Sequence, residues 1–195
     1  MQPISHEQDP ALLVPPEDRD DDKPNGTASL YEWVEAAVFS LIVVVLVFTF
    51  LFRIVGVDGR SMQTTLMDKD RLILSALPYT PERGDIVVIN RYTKEPLVKR
   101  IIAVENDTIS IDEESHRVIL NGEILNEPYI QVPTYPEGLN GTVQVPQGKV
   151  FVMGDNRTAS LDSRDLGFID VHDIMGKAVF RIFPFDQFGG LYPES

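Results

Sequence analysis

The sequence predicts a mainly β domain preceded by one transmembrane helix, and three observations carry that expectation. Residues 36–52 form seventeen consecutive positions without a charged side chain. After Arg53 the chain is written in short apolar, β-branched runs punctuated by Gly, Pro and Asn, which are strand signals. No sustained helical periodicity occurs outside the apolar stretch, and no internal repeat is present.

Taken in order, residues 1–32 are rich in Pro, Asp, Glu and Ser and hold too few apolar side chains to offset the entropy of ordering, so they read as a disordered acidic tail. Nine acidic side chains against Arg19 and Lys23 give residues 1–35 a charge of −7 out of a total of −13. The other 160 residues carry −6 and show no basic footprint for nucleic acid. Residues 33–56 read as a transmembrane signal anchor that begins at Trp33, an aromatic residue of the kind that favours the bilayer interface. A cleaved signal peptide would instead have a short basic start and a small-residue cleavage site. Arg53 and Arg60 follow the span while Arg19 and Lys23 precede it, so charge alone does not orient it.

Residues 57–195 are the β domain. Strand-like runs fall at 71–74, 85–89, 97–104, 108–111, 118–120, 150–153 and 178–182. Asn121-Gly122 between two such runs is the strongest hairpin signal in the chain. The Pro-rich connection from 128 to 146 suggests a small subdomain inserted at about 105–146.

Candidate chemistry starts at Ser61, which follows Gly59 on a turn close to the span. A Ser-His-Asp arrangement would require His116 or His172 to meet it, and each also reads as an ordinary surface histidine. Cysteine is absent, which removes disulfides and thiol chemistry. No zinc or phosphate-loop motif occurs, so no cofactor or metal is expected. Lys99 is the alternative base. Strand alternation puts it on the face of Leu97 and Ile101, with Arg100 pointing the other way. On an apolar face an ammonium is desolvated and its pKa falls toward neutrality, whereas at a strand edge the same lysine would simply reach solvent. The polar stretch 154–167 alternates Asp155, Asp162 and Asp165 with Arg157 and Arg164, a pattern that favours ion pairing over metal binding.

Four segments in order, Gly59-Arg60-Ser61-Met62-Gln63-Thr64-Thr65-Leu66, Arg83-Gly84-Asp85, Val98-Lys99-Arg100-Ile101 and Gly154-Asp155-Asn156-Arg157 through Arg164, resemble the type I signal peptidases of the compact single-span kind. That resemblance implies a signal-peptidase-like β catalytic domain using a Ser/Lys dyad. Ser61 is then the nucleophile, Lys99 the general base, and the Ser61 backbone NH an oxyanion donor. Ser160 matches the hydroxyl that orients the lysine, and Asp162 with Arg164 a supporting ion-pair shell that also involves Asp155 and Arg157. Met62 is the expected pocket residue. Thr64 stands where the family pattern has proline, and Gly59 where some members place a second oxyanion serine.

The resemblance further implies a cytoplasmic N-terminus and an extracytoplasmic catalytic domain. Its partners are then membrane lipid and the signal peptides of exported preproteins, cleaved after small residues at −1 and −3. The alternatives are a catalytically inactive membrane-anchored binding domain of the same fold, and a self-cleaving repressor-type protease, which needs a DNA-reading domain and a cleavable linker that the membrane span and acidic tail do not fit. Phe183, Phe185 and Phe188 read equally as interfacial anchors or as core near the C-terminus.

Overall fold

The computed structural model describes residues 26–90 and 92–192. Residues 1–25, most of the acidic tail expected to be disordered, lie outside the described residues. The chain divides into two compact units after Val43.

Helix α1 spans Gly26–Leu51. Its segment Leu30–Leu51 is exposed and, among the described residues, is the one helix long and apolar enough to cross a membrane. Twenty-two residues at about 1.5 Å each cover roughly 33 Å, enough for a hydrocarbon core. The helix does not share the bounds expected for the span, 33 and 56. The helix begins at Gly26, with no proline between there and Leu51 to interrupt it, so residues 26–32 are helical. It ends at Leu51 because the next five residues pair as a strand, from Phe52↔Ser75 to Gly56↔Arg71.

The second unit contains strands β1 (Phe52–Gly56), β2 (Arg71–Ser75), β3 (Ile86–Ile89), β4 (Leu97–Ala103), β5 (Thr108–Ile111), β6 (Val118–Leu120), β7 (Glu123–Ile124), β8 (Val143–Gln144), β9 (Lys149–Met153), β10 (Ile169–Asp170), β11 (Ile174–Phe183) and β12 (Gly189–Gly190), with a one-turn helix α2 (Ser163–Leu166). The main sheet runs β1-β2-β11-β3-β4-β9-β10, with β12 also on β11. Its pairs are antiparallel, and register shifts in β11 and between β4 and β9 mark bulges that bend it. A second sheet, β7-β6-β5-β8, is joined through the Asn121-Gly122 hairpin, where both residues take positive φ as a two-residue primed turn requires.

The burial pattern explains why the central strands read as unbroken apolar runs. Ile86 and Val88 face one core with Leu66, Leu72 and Leu74. Val87 and Ile89 face another with Ile101, Val150 and Val152. A strand covered on both faces has no solvent-facing alternation to display. Ile102, Phe151 and Met153 extend a third core to the second sheet, where Ile109, Val118 and Leu120 meet them. Phe185 is 80% exposed, and Phe183 and Phe188 are exposed as well, which removes the core reading for all three.

Candidate active site

Three segments build the site. The first is the loop after β1. Val57, Met62 and Leu66 are buried in one core, and Leu66 N–H donates to the Met62 carbonyl at 2.8 Å, so the turn that carries Ser61 is anchored on both sides. Gly59 has φ +92°, a conformation that glycine adopts without steric cost. Its N–H donates to Asp68 Oδ1 at 2.9 Å and is therefore not free to serve as an oxyanion donor.

The second segment is β4. Lys99 is 2% exposed, lies opposite Val87, and its Nζ donates to Ser61 Oγ at 2.7 Å. Burial pushes the Lys99 ammonium down to about 8; Asp162 and Asp155 oppose that shift and Arg164 adds to it. Arg100, on the other face, holds Asp155 with two hydrogen bonds of 2.9 and 2.7 Å and donates to the Gly84 carbonyl at 2.9 Å.

The third segment leaves β9 at Gly154. The Gly154 N–H donates to Asp162 Oδ2 at 3.1 Å, and the Gly154 carbonyl accepts from Arg157 Nε at 2.9 Å. A Cβ at Gly154 would collide with the Ser61 carbonyl and with Ser160 Oγ, so only glycine permits this approach. Asn156 N–H then donates to the Ser61 carbonyl at 2.9 Å and its Nδ2 to the Arg60 carbonyl at 3.2 Å. Asp162 caps α2, accepting from Arg164 N–H at 3.2 Å, and pairs with the Arg164 guanidinium at 2.9 Å; both side chains are buried. Arg164 also donates to the Arg157 carbonyl at 2.7 Å.

The structure thus brings Ser61 and Lys99 into contact and gathers Asp155, Arg157, Asp162 and Arg164 around them. Asp155 and Arg157 do not pair with each other: Asp155 takes Arg100, and Arg157 takes Glu127 across thirty residues of sequence. Ser160 Oγ is buried and, among the described residues, has no hydrogen-bond partner, so the expected contact with the lysine amine is not made. Met62 is 1% exposed and fills the core beside Val57 and Leu66, which corrects its assignment to a substrate pocket. Neither histidine joins Ser61. His172 is exposed beside Asp170, and the His116 ring packs on Tyr135, 4.6 Å between centroids. The sequence named Gly154 and Asn156 within a matching segment without a role for either, and it pointed to neither Glu127 nor Thr134. It placed Arg100 on the face opposite Lys99, and the structure supplies Asp155 as its partner there.

A mainly β domain with a serine hydroxyl held against a buried strand lysine is an arrangement that serine peptidase chemistry can use. Comparison with known proteins supplies the family. The family model described as "Signal peptidase, peptidase S26" matches residues 30–183, and the chain belongs to that family. It is 39% identical to a signal peptidase I of Bacillus licheniformis over 176 residues, covering 84% of this chain and 94% of that protein. With signal peptidase I T of Bacillus subtilis it shares 38% identity over 174 residues, 83% of this chain and 89% of that protein. A solved signal peptidase I from Enterococcus faecalis aligns with TM-score 0.44 and 26% identity, covering 52% of this chain and 98% of that one.

Proposed function

We propose that the chain is a membrane-anchored endopeptidase that removes N-terminal signal peptides from exported preproteins, with Ser61 as nucleophile and Lys99 as general base. The observation that carries this reading is the 2.7 Å contact between Ser61 Oγ and the Nζ of a lysine buried to 2% exposure. Such an amine is neutral in a sizeable fraction near pH 8 and then accepts the hydroxyl proton. As Ser61 Oγ bonds to the scissile carbonyl carbon, its proton passes to Nζ, and the Ser61 N–H faces the developing oxyanion. The C–N bond breaks as Nζ returns that proton to the leaving amine. Water then attacks the acyl-serine carbonyl, giving one proton to Nζ; as the C–Oγ bond breaks Nζ returns that proton to Ser61 Oγ, and the product acid departs and ionises to its carboxylate.

The supporting shell is Asp155, Arg157, Asp162 and Arg164, with Ser160 as a second hydroxyl against Gly154. Strand β1 is an edge of the main sheet and leads directly into the Ser61 loop. A substrate strand added along such an edge turns alternate side chains to one face, which fits selection for small residues at −1 and −3. The N-terminal tail ahead of α1 is cytoplasmic, the anchor is the Leu30–Leu51 segment of α1, and the catalytic domain with its second sheet is extracytoplasmic. Membrane contact is also supported by the outer side of the sheet. Ile54, Ile73 and Phe180 lie in one cross-strand row there and line, with Phe48, Phe52 and Val179, an apolar groove of about 550 Å³.

The test is cleavage of an Ala-x-Ala preprotein by the full-length protein in detergent. Ser61→Ala and Lys99→Ala abolish turnover while circular dichroism shows the fold retained, and wild-type kcat/KM rises with pH through about 8. Substantial cleavage by the Lys99 variant, or a pH profile flat from 6 to 10, would refute the dyad.

A further inference from the structure

The segment that follows β7, Glu127-Pro128-Tyr129, touches two arginines of the site at once. Arg157 is fully buried, donates through Nη1 to Glu127 Oε2 at 3.2 Å and to Thr134 Oγ1 at 2.7 Å, and reaches Glu127 Oε1 through Nη2. Two residues on, the Tyr129 ring packs against Arg100, 4.0 Å from guanidinium carbon to ring centroid. The Tyr129 hydroxyl donates to Glu127 Oε1 at 3.0 Å and ties the two contacts together.

Both contacts end on one dipeptide. Arg157 Nε holds the Gly154 carbonyl, and Arg100 holds the Asp155 carboxylate. That dipeptide is what packs on the nucleophile turn: Gly154 abuts the Ser61 carbonyl, and Asp155 accepts from the Thr65 hydroxyl. A side-chain path therefore runs from Glu127 and Tyr129, outside the four segments that carry the family resemblance, to the backbone of Ser61. We infer that Glu127 and Tyr129 are positioning residues of the peptidase reaction, an inference that rests on the Ser61/Lys99 reading. They fix the Gly154-Asp155 dipeptide, so that the Ser61 hydroxyl and N–H keep their registration against Lys99.

The physical reason is twofold. Without Glu127 the Arg157 guanidinium is a buried charge lacking its counter-ion, and it must move toward water or draw water in. Without the Tyr129 ring, Arg100 loses a cation–π partner. Either change releases Gly154-Asp155, and displacements of about 1 Å at a reacting group cost on the order of a hundredfold in rate.

The experiment uses full-length enzyme in detergent with an Ala-x-Ala preprotein, at a temperature where melting curves show each variant folded. Glu127→Gln, which removes the charge at constant shape, and Tyr129→Ala each lower kcat by about ten- to hundredfold with KM within about threefold of wild type. Tyr129→Phe keeps the ring over Arg100 and recovers kcat to within about threefold. A purely structural role predicts a lower melting temperature with wild-type kcat below it. Wild-type kcat in either folded variant, or a loss carried by KM alone, overturns the inference. Where Glu127→Gln does not fold, the Tyr129→Ala and Tyr129→Phe pair carries the test, with the same two outcomes. Lys99→Ala is run alongside. Its activity would overturn the dyad itself, whereas an inactive Lys99→Ala beside a full-rate Glu127→Gln overturns only the positioning role.

Discussion

Replacing Lys99 with methionine should stabilise the protein at neutral pH while abolishing its activity. In the folded chain Lys99 titrates near 8, because burial disfavours the ammonium. An unfolded lysine titrates near about 10.4, and roughly 1.36 kcal/mol per pKa unit gives about 3 kcal/mol lost at pH 7 by holding this amine in the protein. Methionine has a similar unbranched shape and no charge to desolvate. Losing the hydrogen bond to Ser61 returns about 1 kcal/mol, so the net gain is about 2 kcal/mol, or about 6 °C for a domain of this size. The sign reverses with pH. Between about 8 and about 10.4 the unfolded state binds the proton that the native state has released, so wild-type stability rises with pH across that window. Groups shared by both proteins cancel in the difference. Urea unfolding of the two proteins at pH 7 and pH 10.5 measures it, and the advantage of the variant should be gone at the higher pH. A methionine variant less stable than wild type at pH 7, or a gap that does not depend on pH, would refute the reasoning.

Gly154→Ala places a methyl group into the Ser61 carbonyl and Ser160 Oγ, so it should lower kcat by about a hundredfold through displacement of the nucleophile turn. Wild-type turnover in that variant would show that the contact yields without consequence. Asp162→Asn keeps a good helix cap on α2 but leaves the buried Arg164 without its carboxylate, a loss of about 3 kcal/mol by urea unfolding. A change under about 1 kcal/mol would mean that Glu137, 3.2 Å from Arg164, compensates the charge.

What could be read in the sequence follows the range of each interaction. The apolar helix, the Asn121-Gly122 turn and the β-branched strands are local signals, and the structure places them where the chain spells them, apart from the ends of the span. The exit from the helix was not local. Apart from Arg53, Phe52 to Gly56 are uncharged and continue the apolar run, and the partner strand β2, nineteen residues on from Phe52 at Arg71, holds them as a strand. The contact between Ser61 and Lys99 was legible because alternation fixes the face of Lys99 and the family pattern names Ser61. Glu127 was not, since nothing near it in sequence marks it as the counter-ion of Arg157. Met62 misled for the opposite reason. It adjoins Ser61 in sequence, yet the hydrogen-bonded turn from Met62 to Leu66 buries it in the core.

The arrangement of charges around Lys99 connects the stability cost to the chemistry. Asp155, Asp162 and Glu127 are buried acceptors near the site, and each is committed to an arginine: Arg100, Arg164 and Arg157 respectively. Had one of these carboxylates been left to Lys99, its charge would hold the ammonium, and the amine would not lose its proton near neutral pH. Pairing each acid with a guanidinium that stays protonated in proteins removes that competition. Asp155 and Asp162 still favour the protonated lysine, but Arg164 opposes them and desolvation outweighs both acids. The buried ion pairs are therefore poor evidence for stability in themselves. Their consequence is electrostatic: they let three acids shape the backbone around Ser61 without making Lys99 a permanent cation.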